Sequence, residues 1–407
     1  MSRPQSPLAR HLNSRQRAAG HSQHPGADPR GARADRQFAA DRPHHAVPQD
    51  ETIRDRVTVA LDATYSVGDE LSGVGVYSRE LMEGLTRAHP EERFFYCYRP
   101  HRFLRSWRGG LPGNARRALL TEGPGILYSA WRRAGLFHGL NQRLPAVGCS
   151  RMVVTFHDLF VLSGEYATAE FRARLAAQAR RAAARADLIL TVSAFTKSQV
   201  TELLGVEPAR VRVVHHGVRL PPSTAAHRNV ERERVIFHVG AIQKRKNIAR
   251  LVEAFEAVDA SWKLVLAGSN GYGSEEILAR IASSSARDRV LVTGYIPTVE
   301  LANWYARASI FAFPSLDEGF GMPVLEAMAA GVPVLTSNRS ALPEVAGDAA
   351  LLVNPEDTDD MTEALRKLTT EGQLRSKLAA AGRAQAAMFS WEATIEQTWS
   401  VYQNLLA

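Results

Sequence analysis

The stretch "SIFAFPSLDEGFGMPVLEAMAAGVPVLTS", Ser309 to Ser337, holds the fold in miniature. "SIFAFPS" is a short, continuous apolar run and reads as a buried strand. "PVLEAMAAG" reads as a helix and "VPVLTS" as the next strand. A strand, a glycine-rich turn, a helix and another strand make a βαβ unit with a right-handed crossover. Helices then cover both faces of the sheet, which is why the strands are unbroken apolar runs rather than alternating ones.

The same punctuation extends in both directions. Upstream lie the strands "VIFHVG", "KLVLAGS" and "RVLVTGYIP", with the helices "NIARLVEAFEAV", "SEEILARIASSS" and "TVELANWYARA" between and after them. Downstream, "AALLVNP" and "DTDDMTEALRKLTTEG" complete the series. A second series occupies the first half of the chain: "VTVALDATY", "RFFYCYRP", "GLFHGLN", "MVVTFHDLF", "LILTVS" and "VRVVHHGV" as strands, with "GVGVYSRELMEGLTRAHP" and "TAEFRARLAAQARRAAARAD" as helices. Two alternating series predict two parallel sheets and a cleft between them. Ligands bind such sheets at the carboxyl ends of the strands. The expected boundaries are a first domain over 57–218, a linker over 219–234 ("RLPPSTAAHRNVERER"), a second domain over 235–388 and a final segment over 389–407.

Length and composition agree with this division. The 407 residues exceed one ordinary core, and 45% hydrophobic with 23% charged is the balance of a globular protein. No apolar run is long enough to span a membrane, and the N-terminus lacks the apolar core of a secretory signal. Cys97 and Cys149 have no metal-ligand spacing and suggest a reducing compartment. The net charge is +8; the first 56 residues hold 10 arginines against 6 acidic residues, so half the excess lies there. That segment is aperiodic and reads as a disordered basic tail. Charge alone raises a nucleic-acid binder as a class, but the basic residues are dispersed and no recognition motif accompanies them.

Four stretches carry chemistry. In "SLDEGFGMPVLEAM", Gly319 and Gly321 free the backbone, and Pro323 suits a first helical turn. The turn and helix start offer unpaired N–H donors between two acceptors, Glu318 and Glu326. Carboxylates beside backbone donors suit a hydroxyl-rich ligand such as a nucleotide-linked sugar. With Met322 as N-cap, Glu326 lies one place past the capping-box position, so capping does not account for it. "HVGAIQKRKN" places Lys244, Arg245 and Lys246 at a strand end. They suit a diphosphate leaving group, and they equally suit a solvated basic turn. "SGVGVY" puts Gly73 and Gly75 where a helix N-terminus would meet phosphate, or where a plain strand-to-helix turn needs them. "VTFHDLF" ends a strand on His157, a candidate contact to substrate, with Asp158 beside it; His215 and His216 read as structural. No Asp-x-Asp triplet at a strand end stands out as a metal clamp, since Asp359 and Asp360 belong to an exposed helix start, and there is no Walker loop, Ser-His-Asp order or zinc spacing.

Together, "FPSLDEGFGMPVLEAMAAGVPVLTS", "HVGAIQKRKNI", "LTVSAFTKSQV", "VTFHDL" and "SALPEVAGDAALLVNPEDTDDM" resemble the retaining glycosyltransferases of family four, the glycosyl transferases group 1, from about Val57 to the C-terminus. The resemblance implies an α/β GT-B fold: two Rossmann-like, doubly wound parallel-sheet domains facing a cleft. The second domain would hold a nucleotide-diphosphate sugar and the first the acceptor, with the last helix crossing back to the first. It implies that Arg245 and Lys246 hold the diphosphate, and that Glu318 with the amides of Gly319, Phe320 and Gly321 binds sugar hydroxyls. Glu326 would bind the ribose, His157 would approach the sugar or transferred phosphate, and Gly73 and Gly75 would close over the diphosphate. Gly240 ends the "VG" strand; many relatives follow it with Arg, where this chain has Ala241, which shifts the basic work to "KRK".

Relatives with a similar "RKN" ending include mannose-transferring enzymes, so GDP-mannose is the expected donor and a glycan or lipid-linked glycan the expected acceptor. No metal or other cofactor is expected, and no nucleic acid. The expected location is cytoplasmic, with peripheral contact at the inner face of the membrane through "RPHRFLRSWRGG", a stretch that reads equally as a solvated face. A phosphorylase-like enzyme or sugar-nucleotide hydrolase on the same fold is the rival class.

Overall fold

The computed structural model describes residues 56–68, 70–121, 130–219 and 231–407. The basic tail, apart from Arg56, and most of the expected linker lie outside the described residues.

The first sheet has seven strands: β1 (Thr58–Asp62), β2 (Arg93–Tyr98), β3 (Ala115–Leu119), β4 (Leu136–Gly139), β5 (Arg151–Phe156), β6 (Leu188–Thr191) and β7 (Val211–Val213). The second has six: β8 (Glu233–Val239), β9 (Lys263–Ala267), β10 (Val290–Gly294), β11 (Ala308–Phe313), β12 (Val334–Ser337) and β13 (Ala350–Val353). The orders are β3-β2-β1-β4-β5-β6-β7 and β10-β9-β8-β11-β12-β13. Every pairing is parallel. The chain reverses its direction of travel at β1/β4 and at β8/β11, the switch points where a doubly wound sheet opens a crevice. Five helices matter for the site: α1 (Gly73–Ala88), α2 (Ala194–Leu204), α3 (Met322–Ala329), α4 (Leu342–Ala346) and α5 (Trp391–Leu406).

Both faces of each sheet are covered, as the unbroken apolar strands require. Along β8, Val235 and Phe237 join one core layer while Ile236 joins the layer on the other face. Along β1, Val59 and Leu61 face one layer and Ala60 the other. Helix α1 forms because Ser72 caps it, accepting Gly75 N–H at 3.3 Å, and because Tyr77, Leu81 and Leu85 recur at helical spacing on its buried face. Helix α5, capped by Ser390, lies against the first sheet's layer: Trp399 stacks on His89 at 3.9 Å, and Tyr402 bonds His138 at 2.5 Å.

Strand β3, "ARRAL", had no counterpart in the sequence reading. It is an edge strand with a mixed exposed and buried pattern, so it carries arginines where a central strand would carry valines. Helix α3 begins one residue earlier than expected. Gly321, not Met322, is its N-cap, held at φ 112°, and Pro323 stands in its first turn.

Candidate active site

The glycine turn between β11 and α3 is seated in the first half of the chain. A Cβ on Gly319 would stand 1.7 Å from the carbonyl oxygen of His157, at the end of β5. The Gly319 carbonyl accepts from Ser193 Oγ at 2.7 Å and Thr196 Oγ1 at 3.1 Å, both at the start of α2. Glu344 on α4 reaches the same helix start. Its carboxylate accepts the amides of Ala194 and Phe195 and the Nε2 of His215 at 2.7 Å. Burial works to raise its pKa, but these bonds bring it below the usual carboxylate value. The amides of Gly319, Phe320 and Gly321 have no hydrogen-bond acceptor among the described residues.

The basic residues converge beside this turn. Asn247, in the left-handed region at φ 57°, closes a short 3-10 turn over Lys244–Lys246. Lys246 Nζ meets Glu318 Oε1 at 2.5 Å and Arg245 Nη1 meets Glu318 Oε2 at 3.0 Å. Lys246 and Glu318 are each only 8% exposed. Phe313 lies under the Lys246 ammonium and Phe160 under the Arg245 guanidinium, at 4.5 and 5.0 Å from the ring centres. Arg245 also donates to the Asp317 carbonyl, and the Asp317 carboxylate accepts from Ser163. Burial pushes Glu318 upward, yet Arg245 and Lys246 overcome it and hold the carboxyl at about 2. Burial also lowers Lys246, against the pull of Glu318. Asp158 is pushed up to about 6 by burial, with Glu318 and Asp317 adding to the rise against the pull of Arg245. Gly240 lies against Lys246: a Cβ there would be 3.3 Å from Lys246 Cε.

Lys244 differs from its neighbours and corrects the sequence reading. It is exposed and pairs with Glu276 at 3.0 Å, not with Glu318. A 3-10 turn places successive side chains about 120° apart, so three adjacent cations cannot share one face.

His157 is buried, with Nε2 bonded to the Leu140 carbonyl at 2.8 Å. Burial lowers it to about 4, so the ring is neutral at pH 7. His216 stacks on it at 5.4 Å, and the Tyr77 and Phe320 rings close the box. Among the described residues, the buried Nδ1 of His216 has no hydrogen-bond partner. Gly73 and Gly75 open α1 beside α3: a Cβ on Gly73 would lie 3.8 Å from Met322 Sδ. The amides of Gly73 and Val74 precede the first helical bond, from Val76 N to Ser72 O. Two helix N-termini therefore point toward one region. Glu326, on α3, accepts Tyr305 OH at 2.8 Å, and burial raises it to about 7.

The structure thus brings Glu318, Arg245, Lys246, Gly240, His157 and the glycine turn together, with Gly73 beside α3. The sequence reading missed Tyr77, Ser193, Thr196, Tyr305 and Asp317. Ser193 and Thr196 lie within "LTVSAFTKSQV", where a serine directly before a helix signals a cap. Nothing local marks Tyr77 or Tyr305 apart from other core aromatics. Among the described residues, no group of three His, Cys, Asp or Glu side chains is placed to hold a metal ion.

Two facing parallel sheets, with a basic pair and a glycine-turn helix start between them, define a GT-B glycosyltransferase. The family model of the glycosyl transferases group 1 matches residues 222–385, and that of glycosyltransferase family 4 matches residues 71–220. The chain belongs to this family. It is 30% identical to O-antigen chain mannosyltransferase B of Escherichia coli over 378 residues, 84% of this chain and 99% of the relative. It is 34% identical to D-inositol 3-phosphate glycosyltransferase of Nocardioides over 249 residues, 54% of each. In fold it is similar to sucrose-phosphate synthase of Thermosynechococcus elongatus: TM-score 0.69 and 22% identity, covering 86% of this chain and 99% of the other.

Proposed function

We propose that this glycosyltransferase moves mannose from GDP-mannose to a glycan or lipid-linked glycan in polysaccharide or glycoconjugate synthesis, with retention at the anomeric carbon and without a metal. One observation carries the reading: Arg245 and Lys246 converge on a single buried carboxylate, Glu318, beside three unpaired turn amides. Two fixed cations in a water-poor cleft suit a diphosphate that gains charge as it leaves. Mannose is favoured by the 30% identical relative that spans nearly its full length with this chain, itself a mannosyltransferase.

In this reading the anomeric C–O bond to the donor diphosphate breaks as the acceptor oxygen bonds to the same face. A diphosphate oxygen takes the acceptor proton. Arg245 and Lys246 stabilise the diphosphate, and Glu318, ionised at neutral pH, neutralises them before the donor arrives and then accepts from sugar hydroxyls. The amides of Gly319, Phe320 and Gly321 donate to the sugar, and Glu326 accepts from the ribose. Gly73 admits the diphosphate at the start of α1, Gly75 lets that turn close against the Tyr65 carbonyl, and Gly240 keeps the cleft clear beside Lys246. Neutral His157 contacts the sugar from the first half. Glu318 as a covalent nucleophile is the weaker reading, because both its oxygens are engaged by cations. Transfer would take place in the cytoplasm, at the inner face of the membrane. Among the described residues no helix is long and apolar enough to cross it.

The test is a consumption screen of nucleotide sugars with melting shifts against GDP, UDP and ADP. Stabilisation by GDP and consumption of GDP-mannose are expected. No stabilisation by any nucleotide would sink the reading, and consumption of UDP-glucose alone would reassign the donor.

A further inference from the structure

A buried titratable group with no part in the mechanism above lies against the basic pair. His238, in β8, is wholly buried. Its Nδ1 meets the carbonyl oxygen of Ala312, in the neighbouring strand β11, at 2.9 Å. A carbonyl only accepts, so Nδ1 carries the ring proton. Burial lowers the ring to about 4, which leaves it neutral at pH 7. Nε2 is then a bare lone pair, and it has no hydrogen-bond partner among the described residues. A buried acceptor left unmatched is costly.

Gly240 shows what that lone pair faces. Held at φ 147°, it lies between His238 and Lys246. A Cβ there would stand 3.7 Å from His238 Nε2 and 3.3 Å from Lys246 Cε. Both side chains therefore border the space that the glycine leaves. Both also lie on Phe313. The His238 ring stacks on it with 5.5 Å between centres, and Lys246 Nζ is 4.5 Å from its centre. Of the three N–H bonds of the ammonium, one meets an acceptor, Glu318 Oε1. The charged groups facing Lys246 are Glu318 from the glycine turn, Arg245 beside it and Asp158 just past β5.

In the donor-bound state, sugar hydroxyls compete for Glu318 and the diphosphate competes for both cations. An ammonium on a four-carbon stem is a flexible point charge, and a second acceptor fixes its direction. We infer that His238 is a positioning residue for Lys246: Nε2 accepts one ammonium proton when Glu318 turns to the sugar, and so aims the remaining N–H bonds at the diphosphate. The neutral ring does this without adding charge. With its proton fixed at Nδ1, it has no N–H at Nε2 to give a phosphate oxygen. The inference rests on the reading that Lys246 holds the donor diphosphate.

Two amides separate this role from a structural one. His238→Asn places an N–H near the position of Nδ1, which keeps the bond to Ala312 and loses the acceptor at Nε2. His238→Gln reaches the position of Nε2 and restores an acceptor there, at the loss of the Ala312 bond. GDP and inorganic diphosphate are titrated by calorimetry into the full chain and each variant, with thermal unfolding alongside. His238→Asn is expected to weaken both ligands about tenfold, and His238→Gln less than about threefold. In a Lys246→Ala background, His238→Asn should weaken neither ligand further, because it acts through that ammonium. Equal binding by wild type and His238→Asn overturns the assignment, and so does the opposite order of the two variants, which would make the Ala312 bond the ring's whole part. A further loss in the Lys246→Ala background overturns it too. If His238→Asn melts too low to titrate, His238→Gln decides alone: affinity near that of the wild type supports the assignment, and a loss of about tenfold overturns it. A wild type that binds inorganic diphosphate and no nucleotide counts against the donor reading, and the variants are then compared with inorganic diphosphate alone.

Discussion

Gly319 and the carbonyl of His157 meet so closely that a single added methyl would stand 1.7 Å from the oxygen. The contact joins the turn that carries Glu318 to the end of β5. The two halves of the site are therefore in register only while position 319 lacks a side chain. Gly319→Ala is expected to cost about 1–3 kcal/mol by overpacking and to lower transfer at least about tenfold. Denaturant unfolding with steady-state transfer checks both; unchanged values would mean that the turn relaxes freely.

Lys246→Ala removes one of two cations from a buried carboxylate. Transfer should fall about 10²–10³-fold, the usual loss for one electrostatic donor at a charged transition state. Donor hydrolysis in the absence of acceptor should fall in parallel, since bond breaking is shared. A variant with wild-type kcat would remove Lys246 from the mechanism.

Glu318 is held at about 2, below its ordinary value of 4.5. A depressed carboxyl stabilises the fold above its unfolded pKa, and that stability is lost as pH falls from about 4.5 toward 2. Glu318→Gln should flatten the acid limb of a stability profile. An identical acid limb in wild type and variant would show that the pairing seen here contributes nothing in solution.

Glu326 is raised to about 7 by burial. The sign is opposite: the protonated carboxyl is favoured in the fold, so stability falls as pH rises from about 4.5 to 7 and levels off beyond. If the ionised group receives a ribose hydroxyl, GDP affinity should rise through neutral pH, and Glu326→Gln should remove that rise. Calorimetry across that range reads it directly. Glu326→Ala should weaken GDP and spare the fold.

Glu344 accepts two amides at the start of α2 and the ring of His215. Glu344→Ala leaves those amides without their cap and should cost about 1–2 kcal/mol, read by thermal unfolding. Because Ser193 and Thr196 hold the Gly319 carbonyl at the same helix start, KM for the donor should rise as well. A lower melting point with KM unchanged would restrict Glu344 to a structural part.

Much of the fold was legible because apolar strands and amphipathic helices declare themselves locally. "SIFAFPS" and "VPVLTS" became β11 and β12 as read. Strand β3 escaped because an edge strand needs only one covered side, and "ARRAL" carries no apolar run. Glu318 and its turn stood out through Gly319, Gly321 and Pro323, since glycine and proline placement shapes a backbone irrespective of what surrounds it. The basic triplet was visible, but not its division. Lys244 pairs with Glu276 while its two neighbours meet Glu318.

By itself, the sequence determined the order of elements, the parallel sheets they build and the ends at which loops gather. Those follow from the period of apolar residues and from turn chemistry, which act over a few residues. Only the tertiary structure decided which charges meet. Lys246 finds Glu318 across 72 positions, and Gly319 is filled by the backbone of His157 from the other half of the chain. The first meeting depends on β8 and β11 being neighbours in one sheet, and the second on how the carboxyl ends of two separate sheets are packed together. Burial raises both glutamates, and their opposite pKa shifts follow from their neighbours: Glu318 meets the cations Arg245 and Lys246, while Glu326 meets the neutral hydroxyl of Tyr305.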